Sequence, residues 1–449
     1  MSSREALWQP RHREAQVSEH GARHIYVLGL SDEDRALLRR MPEDSGVAIH
    51  ELLPRSRFRG VEALPIEDLV AAAEARLRAA AAPVAGILSF IDFPASEIMG
   101  LLNERFGLRG PDLRAVLACN HKYWSRQLQA EVAPEAVPPF AAFDPFDETA
   151  FDRLTLALPL WVKPLNAFCS HLGFRVRSRE DFEQAAAQMR ISLDKLAEPL
   201  AYFLERAELP EEIRRLGGRV AIAEGLIGGR QCTLEGYVFN GEPVVYGVVD
   251  SIREANGSSF ARYQYPSQLP PEARERMADI AIRVMRRTGF DNGTFNMEFF
   301  YDPPHDRVWL LEINPRLSQS HFELFEKVNG VSSQQVAFDV VTGRRPMLPY
   351  GQGPHRVAAK FFLRSWRAGR VTRVPGKGEL RGLHQDHPGL TIEITVRRGQ
   401  DLARLQDQDS YSYELAHAWL GADSQPELLR QWEAIRRRLR FEIDGAPLS

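Results

Sequence analysis

At 449 residues, with 44% hydrophobic content and a formal net charge of −3, the chain is too long for one hydrophobic core and suits about three domains. Its 57 Lys and Arg nearly balance 60 Asp and Glu, so no general attraction to nucleic acid or to a membrane surface is implied. Cys119, Cys169 and Cys232 have neither metal-type spacing nor an evident pairing, the polar N-terminus lacks a signal-peptide core, and the most apolar stretch, 79–93, is too short for a bilayer; together these favour a cytoplasmic protein.

Residues 1–21 are polar and read as a loose tail. A buried strand follows over 24–30, a helix capped by Ser31 over 31–40, a strand over 47–53, an alanine-rich helix over 66–81 and a third strand over 84–91. This alternation predicts a small parallel α/β unit, with a domain spanning 22–115. It has no G-x-G-x-x-G signature, so the layout says little about a cofactor. Residues 134–146, rich in Pro, Ala and Phe, read as a linker or loop. A strand over 158–164 carries Lys163, and Ser178 caps a helix running to Arg190, with Asp181 at its third helical position. The strand over 220–224 ends on Glu224. Asn240-Gly241 marks a hairpin between 232–239 and 243–251, and 271–288 is an amphipathic basic helix. Beyond 350 come a strand over 356–364, the start of a hairpin over 371–375 and a charged helix over 427–439.

Residues 295–316 are the most informative segment. Two apolar strand-like runs flank a proline turn, and each carries an acid among residues that should be buried. Burying unpaired carboxylates is costly, so two on neighbouring strands call for a cation between them. Period-2 geometry puts Glu312 and Asn314 on one face, and a hairpin centred on His305 sets Glu298 opposite Glu312. Three oxygen donors then converge, a set suited to Mg²⁺ carrying a nucleotide phosphate.

With these residues in place, the chain resembles the ATP-grasp superfamily over about residues 24–445. Asn120-His-Lys122 resembles the first nucleotide lysine, Trp161-Val-Lys163-Pro the second, Ala223-Glu224 through Gln231 the adenine and ribose segment, and Asn296-Met-Glu298 with Glu312-Ile-Asn314-Pro-Arg316 the metal and phosphate residues. The resemblance implies an ATP-grasp fold of α/β and α+β parts. A Rossmann-like pre-ATP-grasp domain would precede two lobes clasping ATP over 116–348, with the lid at about 155–225, and a C-terminal α+β extension would cover 349–449. It implies ATP and Mg²⁺, with Mn²⁺ as a substitute. It also implies phosphate contacts from Lys122, Lys163 and the loop residues Ser170 and His171, adenine contacts from Glu224, Leu226 and Ile227, and ribose contacts from Gln231. That loop, 166–173, has one glycine where several are common, so side chains would replace backbone N–H groups. Cys169 has nothing nearby to activate it.

The activity implied is that of a carboxylate–amine ligase, which activates a small carboxylic acid, such as an amino acid, as an acyl phosphate and joins it to an amine. A carboxylate kinase, a thiol-ester-forming enzyme and a non-catalytic nucleotide-binding regulator are the alternatives. Arg316 is the candidate for stabilising the transition state. Biotin-dependent carboxylases are similar here but carry glutamine and glutamate where this chain has Ser318 and Ser320, and serine cannot serve as their base. His321 either orients the pocket or is a satisfied core histidine. The segment 253–263, with Arg262 and Tyr263, is either a substrate loop or a solvated connector. The partners expected are small carboxylates and amines, with no nucleic acid and no membrane; a homodimer is left open.

Overall fold

The computed structural model describes residues 22–30, 35, 46–58, 64–165, 172–405, 408 and 411–448. The expected tail, all but Arg35 of the helix over 31–40, and the loop residues Ser170 and His171 lie outside the described residues. Strands β1 (Arg23–Leu28), β2 (Val47–Leu53) and β3 (Val84–Ser89) form a parallel sheet in the order β2-β1-β3. Helix α1 (Ile66–Arg78) buries Ile66, Leu69, Val70, Ala73 and Leu77, one stripe at helical spacing. Helices α2 (Ala95–Phe106) and α3 (Leu113–Asn120) pack together, and Asp112 caps α3 by accepting from the Ala115 N–H. Helix α4 (Lys122–Val132) follows at once.

A four-stranded antiparallel sheet comes next, in the order β4-β7-β5-β6, from β4 (Phe140–Phe143), β5 (Leu160–Pro164), β6 (Phe174–Val176) and β7 (Ala221–Gly225). Residues 140–143, expected within a linker, are thus an edge strand paired to β7, a place that tolerates the neighbouring prolines. Helix α5 (Arg179–Leu204) begins at the Ser178 cap, which accepts from the Asp181 N–H, but runs well past Arg190. Phe182, Ala185, Ala186 and Met189 pack on the four-stranded sheet, while Leu200, Phe203 and Leu204 join the core of the first domain. The second apolar group makes the extension worthwhile.

The largest element is an eight-stranded antiparallel sheet, order β12-β11-β8-β9-β10-β13-β16-β15. Its strands are β8 (Arg230–Phe239), β9 (Glu242–Arg253), β10 (Phe260–Tyr265), β11 (Gly293–Asp302), β12 (Arg307–Asn314), β13 (Val357–Ser365), β15 (Thr391–Ile394) and β16 (Tyr413–Ala422). The C-terminal residues therefore extend the sheet that carries the expected metal hairpin. Strand β14 (Val371–Arg373) starts no hairpin; it pairs with β17 (Glu442–Ile443), which pairs with β18 (Ala446–Pro447). Helix α6 (Pro271–Thr288) packs Met277, Ile280, Ala281 and Val284 with Phe295, Met297 and Phe299 of β11. Among the described residues no helix is long and apolar enough to cross a membrane.

Candidate active site

The β11–β12 hairpin pairs Glu298 with Glu312 and Asn296 with Asn314. Near the turn the register is one residue tighter, and an irregularity beside Glu298 leaves Leu311 as an extra residue. That bulge resets the alternation. Val308 and Leu310 lie in the core, and so does Ile313, which sends Glu312 and Asn314 to the face of Glu298. Asn296 Nδ2 donates to the Arg316 carbonyl at 3.0 Å, so its Oδ1 accepts from Asn314 Nδ2 at 2.9 Å. This fixes the amide of Asn314 and leaves its Oδ1 as an acceptor beside the two carboxylates. Burial, then the Glu312 carboxylate, push Glu298 up to about 7. Two facing carboxylates and an amide oxygen are hard donors, and a divalent cation is what relieves their repulsion. The residues fit Mg²⁺, with phosphate oxygens and water left to complete its shell.

Lys163 and Glu224 sit on neighbouring strands and bond directly, Nζ to Oε2 at 2.8 Å. Arg126 holds the other Glu224 oxygen through Nε at 2.5 Å. Its Nη1 and Nη2 donate to the carbonyls of Leu310 and Leu311, at 2.7 and 2.8 Å. One buried guanidinium thus clamps the bulge of β12 to the four-stranded sheet. Burial would raise Glu224, but the Arg126 and Lys163 charges outweigh it and hold the acid at about 2. Lys122, at the start of α4, is close enough to Glu312, Lys163 and Glu224 for their charges to act on it, and burial draws its pKa down. Sequence reasoning passed over Arg126, although it stands four residues after Lys122 on one helix face, a usable signal.

Glu224 and Gln231, expected at the adenine and ribose, each have side-chain partners within the protein. Both Glu224 oxygens are engaged by cations, so the carboxylate anchors Lys163. The Gln231 amide donates to Glu298 Oε2 at 2.8 Å and its oxygen accepts from Arg253 at 3.1 Å, which places it beside the paired glutamates. Leu226 and Ile227 lie half-buried on the connection from β7 to β8.

Arg316 forms a two-pronged pair with Asp92, Nε to Oδ1 at 2.5 Å and Nη2 to Oδ2 at 2.6 Å, while Nη1 donates to the Leu317 carbonyl at 3.1 Å. Asp92 follows β3 at the carboxyl edge of the parallel sheet, where open α/β sheets gather ligands, and that position was the missed signal. His321 is 2% exposed and bonds Glu235 through Nδ1 at 2.7 Å. Burial, with Lys360 and Arg316 nearby, draws it down to about 3, and burial drives Glu235 well up. Both of its readings fit this placement: the ring is buried and bonded, and it shares its turn with Ser320. Ser320 accepts from Lys360 Nζ at 3.1 Å, and Ser318 precedes the same 3-10 turn. Tyr263 stacks edge-on with His321, centroids 5.3 Å apart. Arg262, adjacent on β10, points to the opposite face, bonds Gln264 at 3.1 Å, and does not join the site.

This architecture is the ATP-grasp fold, and within it residues 156–322 match the ATP-grasp domain family. Within it, the chain is similar in sequence to the carbamoyl phosphate synthase large chain of Clavibacter sepedonicus, 32% identical over 114 residues, covering 25% of this chain and 9% of that one. The chain therefore spans a small part of the length of such relatives. In structure it is similar to an L-amino acid ligase from Bacillus licheniformis, with TM-score 0.72 and 15% identity over 95% of this chain and 100% of that one. It is also similar to the biotin carboxylase domain of Hydrogenobacter thermophilus 2-oxoglutarate carboxylase, solved with MgADP, with TM-score 0.66 and 14% identity over 96% and 92%.

Proposed function

We propose that the protein is an ATP-dependent carboxylate–amine ligase using Mg²⁺ (Mn²⁺ serving as a substitute). The observation that carries this is the approach of Glu298, Glu312 and Asn314 to Lys122, Lys163 and Arg316, from four separate stretches of chain. Bound Mg²⁺ would screen the polyphosphate charge. Lys122 and Lys163 act as point charges on the phosphates, Lys163 pre-set by Glu224 and Glu224 by Arg126. Leu226 and Ile227 offer backbone groups to the adenine edge, and Gln231 holds Glu298. A substrate carboxylate oxygen attacks the γ-phosphorus and ADP leaves. The amine nitrogen then attacks the acyl carbon, phosphate departs and the amine proton is released. Arg316, aimed by Asp92, stabilises the oxygens that gain charge in both steps.

The test is phosphate release and hydroxamate formation across small carboxylates, with and without amines. Glu312→Gln is expected to lose turnover by roughly a hundredfold or more, about 2.7 kcal/mol of transition-state stabilisation. Undiminished turnover in that variant overturns the reading.

A further inference from the structure

The eight-stranded sheet carries the site's face well beyond the metal hairpin. Directly opposed residues of antiparallel strands share a face, so the register can be followed across the sheet. From Glu312 the row runs to Glu298, then Thr233 and Val249; two residues on, Ser251 pairs with Tyr263, Tyr263 with Lys360, and Lys360 with Trp419. Lys360 therefore lies on the same face as the two metal carboxylates, four strands further from Glu298.

Lys360 is 5% exposed, and its Nζ bonds the Ser320 hydroxyl at 3.1 Å. Its ammonium lies 4.7 Å from the Trp419 ring centroid and 5.3 Å from that of Phe362. Among the described residues, no carboxylate stands within ion-pair distance of it. Its neighbours of opposite sign have other partners: Glu414 bonds Arg364 at 2.7 Å and His417 at 2.8 Å, and Glu393 bonds His417 at 3.2 Å. A buried ammonium that gives one of its three N–H donors to a hydroxyl and lies against two aromatic faces keeps hydrogen-bonding capacity for an anionic partner. The 3-10 turn above it, Gln319–His321, follows directly from the segment that carries Arg316, and His321 feels the charge of both cations.

We propose that Lys360 binds the carboxylate of the amine-bearing substrate, so that the acceptor is an amino acid rather than a simple amine or ammonia. The naming of the acceptor rests on the ligase reading above; the binding site itself does not. Ser320 sets the ammonium, while Trp419 and Phe362 supply an apolar wall that disfavours water around the pair.

The experiment is calorimetry and thermal shift with saturating MgADP. The probes are the proteinogenic L-amino acids and, for each that binds, its decarboxylated amine. At least one amino acid is expected to bind roughly a hundredfold more tightly than its amine, because a site built for a carboxylate leaves its cation unpaired without one. Lys360→Gln is expected to erase that preference while MgADP binding persists, and Lys360→Arg to keep part of it. Should Lys360→Gln lose MgADP binding, Lys360→Met, which keeps a long stem between the rings, takes its place. A lysine serving only to hold the fold would lower the melting temperature and leave the preference intact. That result, or wild-type protein that prefers no amino acid over its amine, overturns the proposal. Amino-acid binding that depends on Lys360, with no hydroxamate from any carboxylate, upholds it and sinks the ligase reading instead.

Discussion

Arg126 and Glu224 are each almost fully buried, and removing either leaves uncompensated charge in a dry setting. Glu224→Gln keeps the shape but strands Arg126 and Lys163, so a loss of about 3–5 kcal/mol is expected, read from urea unfolding at pH 7. The acid's folded value of about 2 lies below its ordinary 4.5. Its contribution is therefore complete above pH 4.5 and disappears as the pH falls through the folded value, an acid-side slope worth about 3 kcal/mol in all. The Gln variant should lack that slope; an unchanged acid limb would show that the triad carries no stability. At this scale the sequence was readable where a residue type has few other uses. Glu298, Glu312 and Asn314 betray themselves as polar groups in apolar strands. Asp92 and Arg126 do not, because an acid after a strand and an arginine in a polar helix look ordinary until their partners, 224 and 98 residues away, are known.

Strands and helices were legible because their signals are local: helix α6 falls on its expected residues, and the Asn240-Gly241 hairpin forms as its turn demands. Pairing across long separations was not, which is why the extension of the large sheet by β13, β16 and β15 went unread. Strict alternation could have done more, since neighbours on a strand such as Arg262 and Tyr263 cannot both face one site. The connection from β7 to β8 gives a sharp test at this scale. Gly229 has φ +129°, and a Cβ there would sit 2.2 Å from the Tyr301 carbonyl oxygen, whereas one on Gly228 meets nothing within 4 Å. Gly229→Ala should cost at least about 1–3 kcal/mol by forcing β8 away from β11, and Gly228→Ala less than about 1 kcal/mol. Equal melting temperatures for the two variants would mean the strand entry is not the constraint it looks.

Across the whole molecule, the first domain shares a hydrophobic core with the segment after Arg316, through Val27, Leu88 and Phe90 against Leu317 and Phe322, and adds polar contacts around it. Arg109 Nε donates to the Val340 carbonyl at 3.1 Å and anchors the domain at a distance, Arg55 reaches Gln319 Oε1 at 3.2 Å, and Asp92 orients Arg316. None of the proposed nucleotide or metal ligands belongs to that domain. Nucleotide binding and catalytic orientation are therefore separable. Asp92→Asn keeps one acceptor oxygen and the volume of the side chain, but loses the charge pair and one prong of the fork. Turnover should fall by roughly ten- to a hundredfold, because a guanidinium free to rotate no longer waits where charge develops. MgADP affinity should stay within about threefold, since Lys122, Lys163 and the paired glutamates are untouched. Steady-state kinetics beside calorimetry separates the two quantities, and Glu312→Gln, expected to weaken both, supplies the contrast. If Asp92→Asn weakened nucleotide binding as much as turnover, the first domain would be holding the cleft together rather than aiming Arg316.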